Sequence, residues 1–225
     1  MQNTAIKSSS LISRIRREIE EEIFDYQTLS HALCHFGKPR DRITRLLASG
    51  DILRIKKGLY CFGEALRKRP VSREQTANLI FGPSYVSLDS ALSIHGLIPE
   101  RVVEVTSVTT GRSRGFTTPL GRFTYRTLSG ARYSIGAELA GEGRERFLIA
   151  SPEKALVDKV WSDSRFSGQR MSGYEAYLFE DLRISAEALR SIDPSRLSRI
   201  VEAYASRKID TLFRFLTRGG YCRDG

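Results

Sequence analysis

The chain has 225 residues, 40% of them hydrophobic and 28% charged, with a formal net charge of +10. That is enough to bury real cores in one large domain or two small ones, while no apolar run approaches the roughly 20 residues of a membrane span and no signal-peptide pattern opens the sequence. Three cysteines, Cys34, Cys61 and Cys222, stand at no repeated spacing, which excludes a disulfide framework and makes a reducing cytoplasm the expected compartment.

A pI of about 9.8 favours polyanionic partners through counterion release. The excess is uneven: residues 1–70 hold 14 Lys/Arg against 8 Asp/Glu, and residues 71–225 hold 22 against 18.

Leu11, Ile12, Ile15, Ile19 and Ile23 recur every three to four residues and predict an amphipathic helix over 9–23. Such a stripe either packs under the next motif or pairs with a second subunit, the first being the commoner use. From Phe24 to Phe62 the pattern predicts a winged helix-turn-helix. A helix runs through Tyr26, Leu29 and Leu33, a turn through Phe36 to Pro39, a second helix through Ile43, Leu46 and Leu47 to Gly50, and a hairpin through 52–62. Pro39 suits a first helical turn, Gly50 a left-handed residue past a helix end, and Gly58 a tight turn between strands.

At about 100° per residue, Ile43, Leu46 and Leu47 form the inner face of the second helix. Asp41, Arg45 and Ala48 lie opposite, with Arg42 and Thr44 on the shoulders and Lys38 and Arg40 at the amino end. An inserted helix reads bases with its outward face, where arginine bonds a guanine edge bidentately. Arg45 is therefore the first candidate for base contact, followed by Arg42 and Thr44. Lys38, Arg40 and the turn residues Lys56 and Lys57 suit the phosphate backbone. Asp41 is expected to pair with Arg45 one turn on.

Residues 63–73 read as a basic linker. Its Arg67-Lys68-Arg69 run is either a phosphate contact or, more commonly, a solvated face. Beyond it come helices over 74–80 and 87–95, the latter capped by Ser87 and closed by Gly96. Strands are expected over 102–108, 121–128, 131–135 and 146–149, separated by turn-rich pieces at 109–119 and 136–143. Helices then start at Ser151-Pro152, Ser185-Ala186 and Asp193-Pro194, where a capping oxygen precedes the first turn. The fold class is α+β: a winged helix-turn-helix over 1–70, then a small mixed β-sheet domain with C-terminal helices over 71–225.

Three segments resemble the AbiEi-type antitoxins of bacterial type IV toxin-antitoxin systems, which are abortive-infection transcriptional regulators: Ser49 to Tyr60 (SGDILRIKKGLY), Tyr85 to Leu97 (YVSLDSALSIHGL) and Ser151 to Asp158 (SPEKALVD). They stand in the family's order, and the resemblance covers about residues 24–160. It implies a repressor that binds inverted repeats of double-stranded DNA in its own promoter. It also implies a second domain that counteracts a nucleotidyltransferase-like toxin without forming a stable complex with it, as part of phage defence. The same residues have plain physical readings. Leu88, Ala91, Leu92 and His95 share a helical face, Glu153 suits a helix N-terminus, and Lys154 with Asp158 makes a surface pair worth a few tenths of a kcal/mol.

Catalytic chemistry finds little support. His31, Cys34, His35 and Cys61 match no standard zinc ligand spacing. Gly111 to Gly115 lacks the lysine of a phosphate-binding loop. A metal-dependent nuclease, the alternative reading, would have to cluster Glu104, Glu153, Lys154 or Asp158. No cofactor is expected.

Overall fold

A computed structural model describes residues 11–128 and 130–222. The chain divides into two compact units, residues 1–76 with Thr117–Leu120, and Ala77–Phe116 with Gly121–Gly225. The fold is α+β, with helices gathered on a mixed sheet.

In the first unit, residues 11–18 form helix α1, and β1 (Ile23–Asp25), α2 (Tyr26–Ala32), α3 (Pro39–Ala48), β2 (Ile52–Lys56) and β3 (Leu59–Phe62) follow. The helix expected over 9–23 is shorter than its apolar spacing suggested. Ile23 belongs to β1, opposite Cys61 of β3, and residues 9 and 10 lie outside the described residues. Three antiparallel strands run in the order β1-β3-β2. Their inner face and the helices share a core of Leu11, Ile15, Ile19, Phe24, Leu29, Leu33, Ile43, Leu46, Ile52, Tyr60 and Phe62. The stripe on α1 is thus spent inside this unit. Asp25 caps α2 by accepting from the Thr28 amide at 2.8 Å, and that bond holds its carboxyl below the usual range. Gly50 and Gly58 are left-handed (φ 76° and 84°), as expected. Gly63 passes so close to Gly50 that a Cβ there would stand 2.0 Å from the Gly50 carbonyl oxygen.

The linker is partly ordered. Residues Glu64–Leu66 make a 3-10 turn, the Arg67 Nε donates to the Phe62 carbonyl at 2.8 Å, and Lys68 and Arg69 are exposed. Below it, Arg16 lies over the Phe62 ring at 4.2 Å and pairs with the buried Glu22. Glu22 also accepts from the Lys68 amide at 3.1 Å.

The second unit is built on a six-stranded sheet in the order β6-β7-β5-β4-β9-β8. The strands are β4 (Ser84–Val86), β5 (Val105–Thr109), β6 (Arg114–Thr118), β7 (Gly121–Thr127), β8 (Ala137–Ala140) and β9 (Phe147–Ala150). Pairing is antiparallel for β4/β5 and β8/β9 and parallel for β5/β7 and β4/β9. Helix α4 (Arg73–Ile80) leads in, and α5 (Leu88–Ile94) follows β4. The chain closes through α7 (Pro152–Ser162), α8 (Ser172–Glu175), a π-helical turn (Ala176–Asp181), α9 (Ala186–Leu189), α10 (Pro194–Tyr204) and α11 (Arg207–Arg218).

Four expectations fail here. The pieces expected as turn-rich at 109–119 and 136–143 contain β6 and β8. The strand expected over 131–135 is a helical turn, α6 (Ala131–Ser134). There Tyr133 packs on Tyr85, and Arg132 covers Trp161 while donating to the Tyr204 carbonyl at 2.9 Å, so tertiary contacts override the β-branched and aromatic signal. The strand expected from Val102 starts only at Val105, and Val103 is 80% exposed. The caps fare better: Ser151, Ser185 and Asp193 each accept from an amide of the first turn of α7, α9 and α10.

Candidate nucleic-acid interface

Helix α3 separates its faces as its sequence spacing requires. Ile43 and Leu46 are buried and Leu47 half-buried, while Lys38, Arg40, Asp41, Thr44 and Arg45 are exposed. Pro39 opens the helix behind Lys38, whose backbone is left-handed (φ 55°). Ser30 first, and then the Arg40 cation beside it, lower the pKa of the Tyr26 phenol below its usual value. The Thr44 hydroxyl donates to the Arg40 carbonyl at 3.1 Å, turning its oxygen back along the helix.

Arg42 is placed differently from Arg45. It is half-buried, its Nε donates to the Gly37 carbonyl at 3.1 Å, and its guanidinium lies 4.9 Å from the centre of the Phe36 ring. Its cation therefore clamps the turn between α2 and α3. The pairing expected between Asp41 and Arg45 does not form: among the described residues Asp41 has no ion-pair partner. Two exposed side chains held in one geometry lose rotamer freedom for a small Coulomb gain in water, which is why such pairs contribute little.

The β2/β3 turn carries the remaining two cations. Lys57 is exposed and Lys56 half-buried, and the Gly58 carbonyl accepts from the Tyr26 amide at 2.9 Å, tying the turn to the start of α2. Register shifts between Arg54 and Lys56, so the strand bends where the lysines begin. Lys38, Arg40, Arg45 and Lys57 are thus solvent-facing cations on one short helix and one hairpin.

The residues weighed for other chemistry go elsewhere. His31, Cys34 and His35 are exposed, whereas Cys61 is buried in β3 and its thiol is pushed up by burial. Among the described residues no three His, Cys, Asp or Glu side chains could share a metal ion. Glu104 pairs with Arg122 at 3.3 Å on an outer face. Glu153 is buried and accepts from the Ser151 hydroxyl at 2.8 Å and the Asp193 amide at 3.0 Å.

Lys154 and Asp158, expected as a surface pair, are 0% and 1% exposed and bonded to each other. Asp158 also accepts from the Ser87 hydroxyl at 2.7 Å, from the Tyr85 hydroxyl at 3.1 Å and from the Tyr204 hydroxyl. Ser87, expected to cap α5 with its side chain, spends its hydroxyl here. Burial pulls the Lys154 ammonium below its usual range against the pull of Asp158, and burial beside that carboxylate drives both tyrosines up. A signal for this burial was present: Ala155, Leu156, Val157 and Val160 place apolar groups on more than one side of α7, the mark of a helix surrounded by protein.

No family model and no curated protein matches the chain. Among solved structures it is similar to the crystal structure of the Rv2827c protein from Mycobacterium tuberculosis. The TM-score is 0.56 over 97% of this chain and 82% of that one, at 14% sequence identity. At that identity the likeness is one of fold.

Proposed function

We propose that the first unit is a winged helix-turn-helix and that the protein is a sequence-specific transcriptional repressor, the antitoxin of a type IV toxin-antitoxin system acting on its own promoter in the cytoplasm. The observation that carries this reading is the separation on α3 of a buried apolar face from an exposed face bearing Lys38, Arg40 and Arg45, beside a turn with exposed Lys57. Cations in that arrangement fit a groove of double-stranded DNA: phosphates bind Lys38, Arg40, Lys56 and Lys57, and a base edge meets Arg45. Thr44 lies on the same exposed side and adds a shoulder contact. Arg42 supports the face by holding the turn.

The uneven charge, densest in residues 1–70, and the resemblance of three segments to AbiEi-type antitoxins support the same reading. On it, the second unit carries the antitoxic function, its partner is a nucleotidyltransferase-like toxin that it opposes without a stable complex, and the protein is a regulator rather than an enzyme. No helix among the described residues is long and apolar enough to cross a membrane.

Fluorescence anisotropy with a duplex carrying the inverted repeats of its own promoter tests the reading. Binding should exceed that of a scrambled duplex, and log K should fall linearly with log salt, with a slope of about −0.9 per phosphate neutralised. Equal, salt-insensitive binding of the two duplexes would defeat it.

A further inference from the structure

We propose that the second unit binds a small molecule through an oxyanion, a phosphate or carboxylate group, in the cleft over the outer face of β5 and β7. The cleft has a volume of about 1180 Å³, somewhat above the range of roughly 300–1,000 Å³ usual for small-molecule sites. Thr106 and Thr124, opposite one another in the β5/β7 register, form its floor. Arg126 stands two residues further along β7, on the same side of that strand. The start of α5, the segment leading into β5, the end of α7 and the π-helical turn make the walls.

What distinguishes the cleft is which of its charges are already spent. Asp89 bonds Lys159 at 2.6 Å, Glu104 bonds Arg122 at 3.3 Å, Asp163 bonds Arg165 at 3.3 Å, and Glu100 pairs with Arg183. Asp181, the other lining carboxylate, stands on the π-helical turn and has no ion-pair partner among the described residues, so two unpaired arginines face one unpaired carboxylate. Among the described residues Arg101 and Arg126 have no ion-pair partner, and both line the cleft. Two guanidinium forks left over in a concave wall suit an oxyanion, which they can grip bidentately.

The rest of the wall suits a compact body. Phe166 and Tyr177 stack at 3.9 Å on one side, and Ile98, Val102 and Leu182 add apolar surface. The backbone is unusual there too. Leu88, a lining residue, opens α5 in the left-handed region at φ 57°, and Tyr177 sits on the π-helical turn. Strained residues and π-helical turns gather at functional sites. The proposal does not depend on what the first unit binds.

Isothermal titration calorimetry of the full chain at about 150 mM salt, where surface charges are screened beyond roughly 8 Å, tests it with inorganic phosphate, pyrophosphate, ATP and citrate as probes. At least one should bind saturably at one site. Arg101→Ala and Arg126→Ala should each weaken that binding at least ~10-fold, Arg126→Lys should recover part of it, and Arg190→Ala, an exposed arginine of the same unit outside the cleft, should leave it unchanged. Circular dichroism of each variant confirms its fold. Tighter binding of ATP than of pyrophosphate gives the ligand a ring, and tightest binding of citrate makes the anion a carboxylate. No binding of any probe overturns the proposal. So does parental affinity in the Arg101 and Arg126 variants, or an equal loss in Arg190→Ala, since the anion would then sit on the general basic surface.

Discussion

Helix α3 of the first unit and helix α7 of the second carry the same kind of charge pair at the same spacing and treat it in opposite ways. Asp41 and Arg45 are four residues apart, exposed and unpaired. Lys154 and Asp158 are four apart, sealed from solvent and bonded, with two tyrosine hydroxyls and a serine completing the carboxylate's shell. Spacing brings such side chains within reach, but the flanking residues decide what happens next. On α3 the apolar groups keep to one stripe and leave the charges in water, where an ion pair at this spacing is worth about 0.3–0.5 kcal/mol. On α7 they surround the helix, which packs against α5, α10 and α11, and a buried lysine needs its carboxylate to remain charged.

The comparison breaks first at Asp158. Asp158→Ala leaves the Lys154 ammonium buried without a counter-charge, and urea unfolding should show a loss of about 3–5 kcal/mol. Lys154→Met with Asp158→Leu should cost far less than either single change, because both charges are then gone. A single-variant loss below about 1 kcal/mol would mean that the pair is solvated. On α3 the stability effect should be small and the binding effect large. Arg45→Ala should weaken promoter binding by about 1–3 kcal/mol and blur sequence choice, whereas Lys57→Ala should weaken all duplexes alike and reduce the salt slope by about 1.

Asp25 offers an intermediate case, an exposed carboxylate with a fixed partner. Asp25→Ala should cost about 0.5–2 kcal/mol through loss of the α2 cap. Because its pKa is lowered in the folded protein, its contribution is present above the unfolded value and fades as pH falls through the folded one. The parent and the variant should therefore converge in stability in acid, below about pH 4. A gap that stays constant through that range would deny the cap. The smallest effect belongs to Asp41→Ala, within about 0.5 kcal/mol in unfolding. A larger loss would reveal a partner for its carboxylate.

Much of the first unit could be read from sequence because its signals are local. Pro39, Gly50 and Gly58 mark turns by their own backbone preferences, and the stripe of Ile43, Leu46 and Leu47 orients α3 without knowledge of its neighbours. The second unit hides more. Its strands β4, β6 and β8 have three to five residues: Ser84 to Val86 is buried throughout and so shows no alternation, Ala137 to Ala140 is alanine-rich, and Arg114 to Thr118 sits in a run that reads as turn. Lys154 and Asp158 were visible as a pair but not as a buried one, since Tyr85, Ser87 and Tyr204 reach them from far along the chain. Arg42 was visible as a cation, and its commitment to Gly37 and Phe36 depends on how the turn folds back.

Gly63 locks the end of the hairpin against the turn that follows α3. With no room for even a methyl group between it and the Gly50 carbonyl, and with its own amide bonded to the Asp51 carbonyl at 2.8 Å, the outgoing chain is riveted to the joint where α3 hands over to β2. The exit of α3 and the end of the hairpin are thereby joined by main chain alone, at a seam that tolerates no side chain.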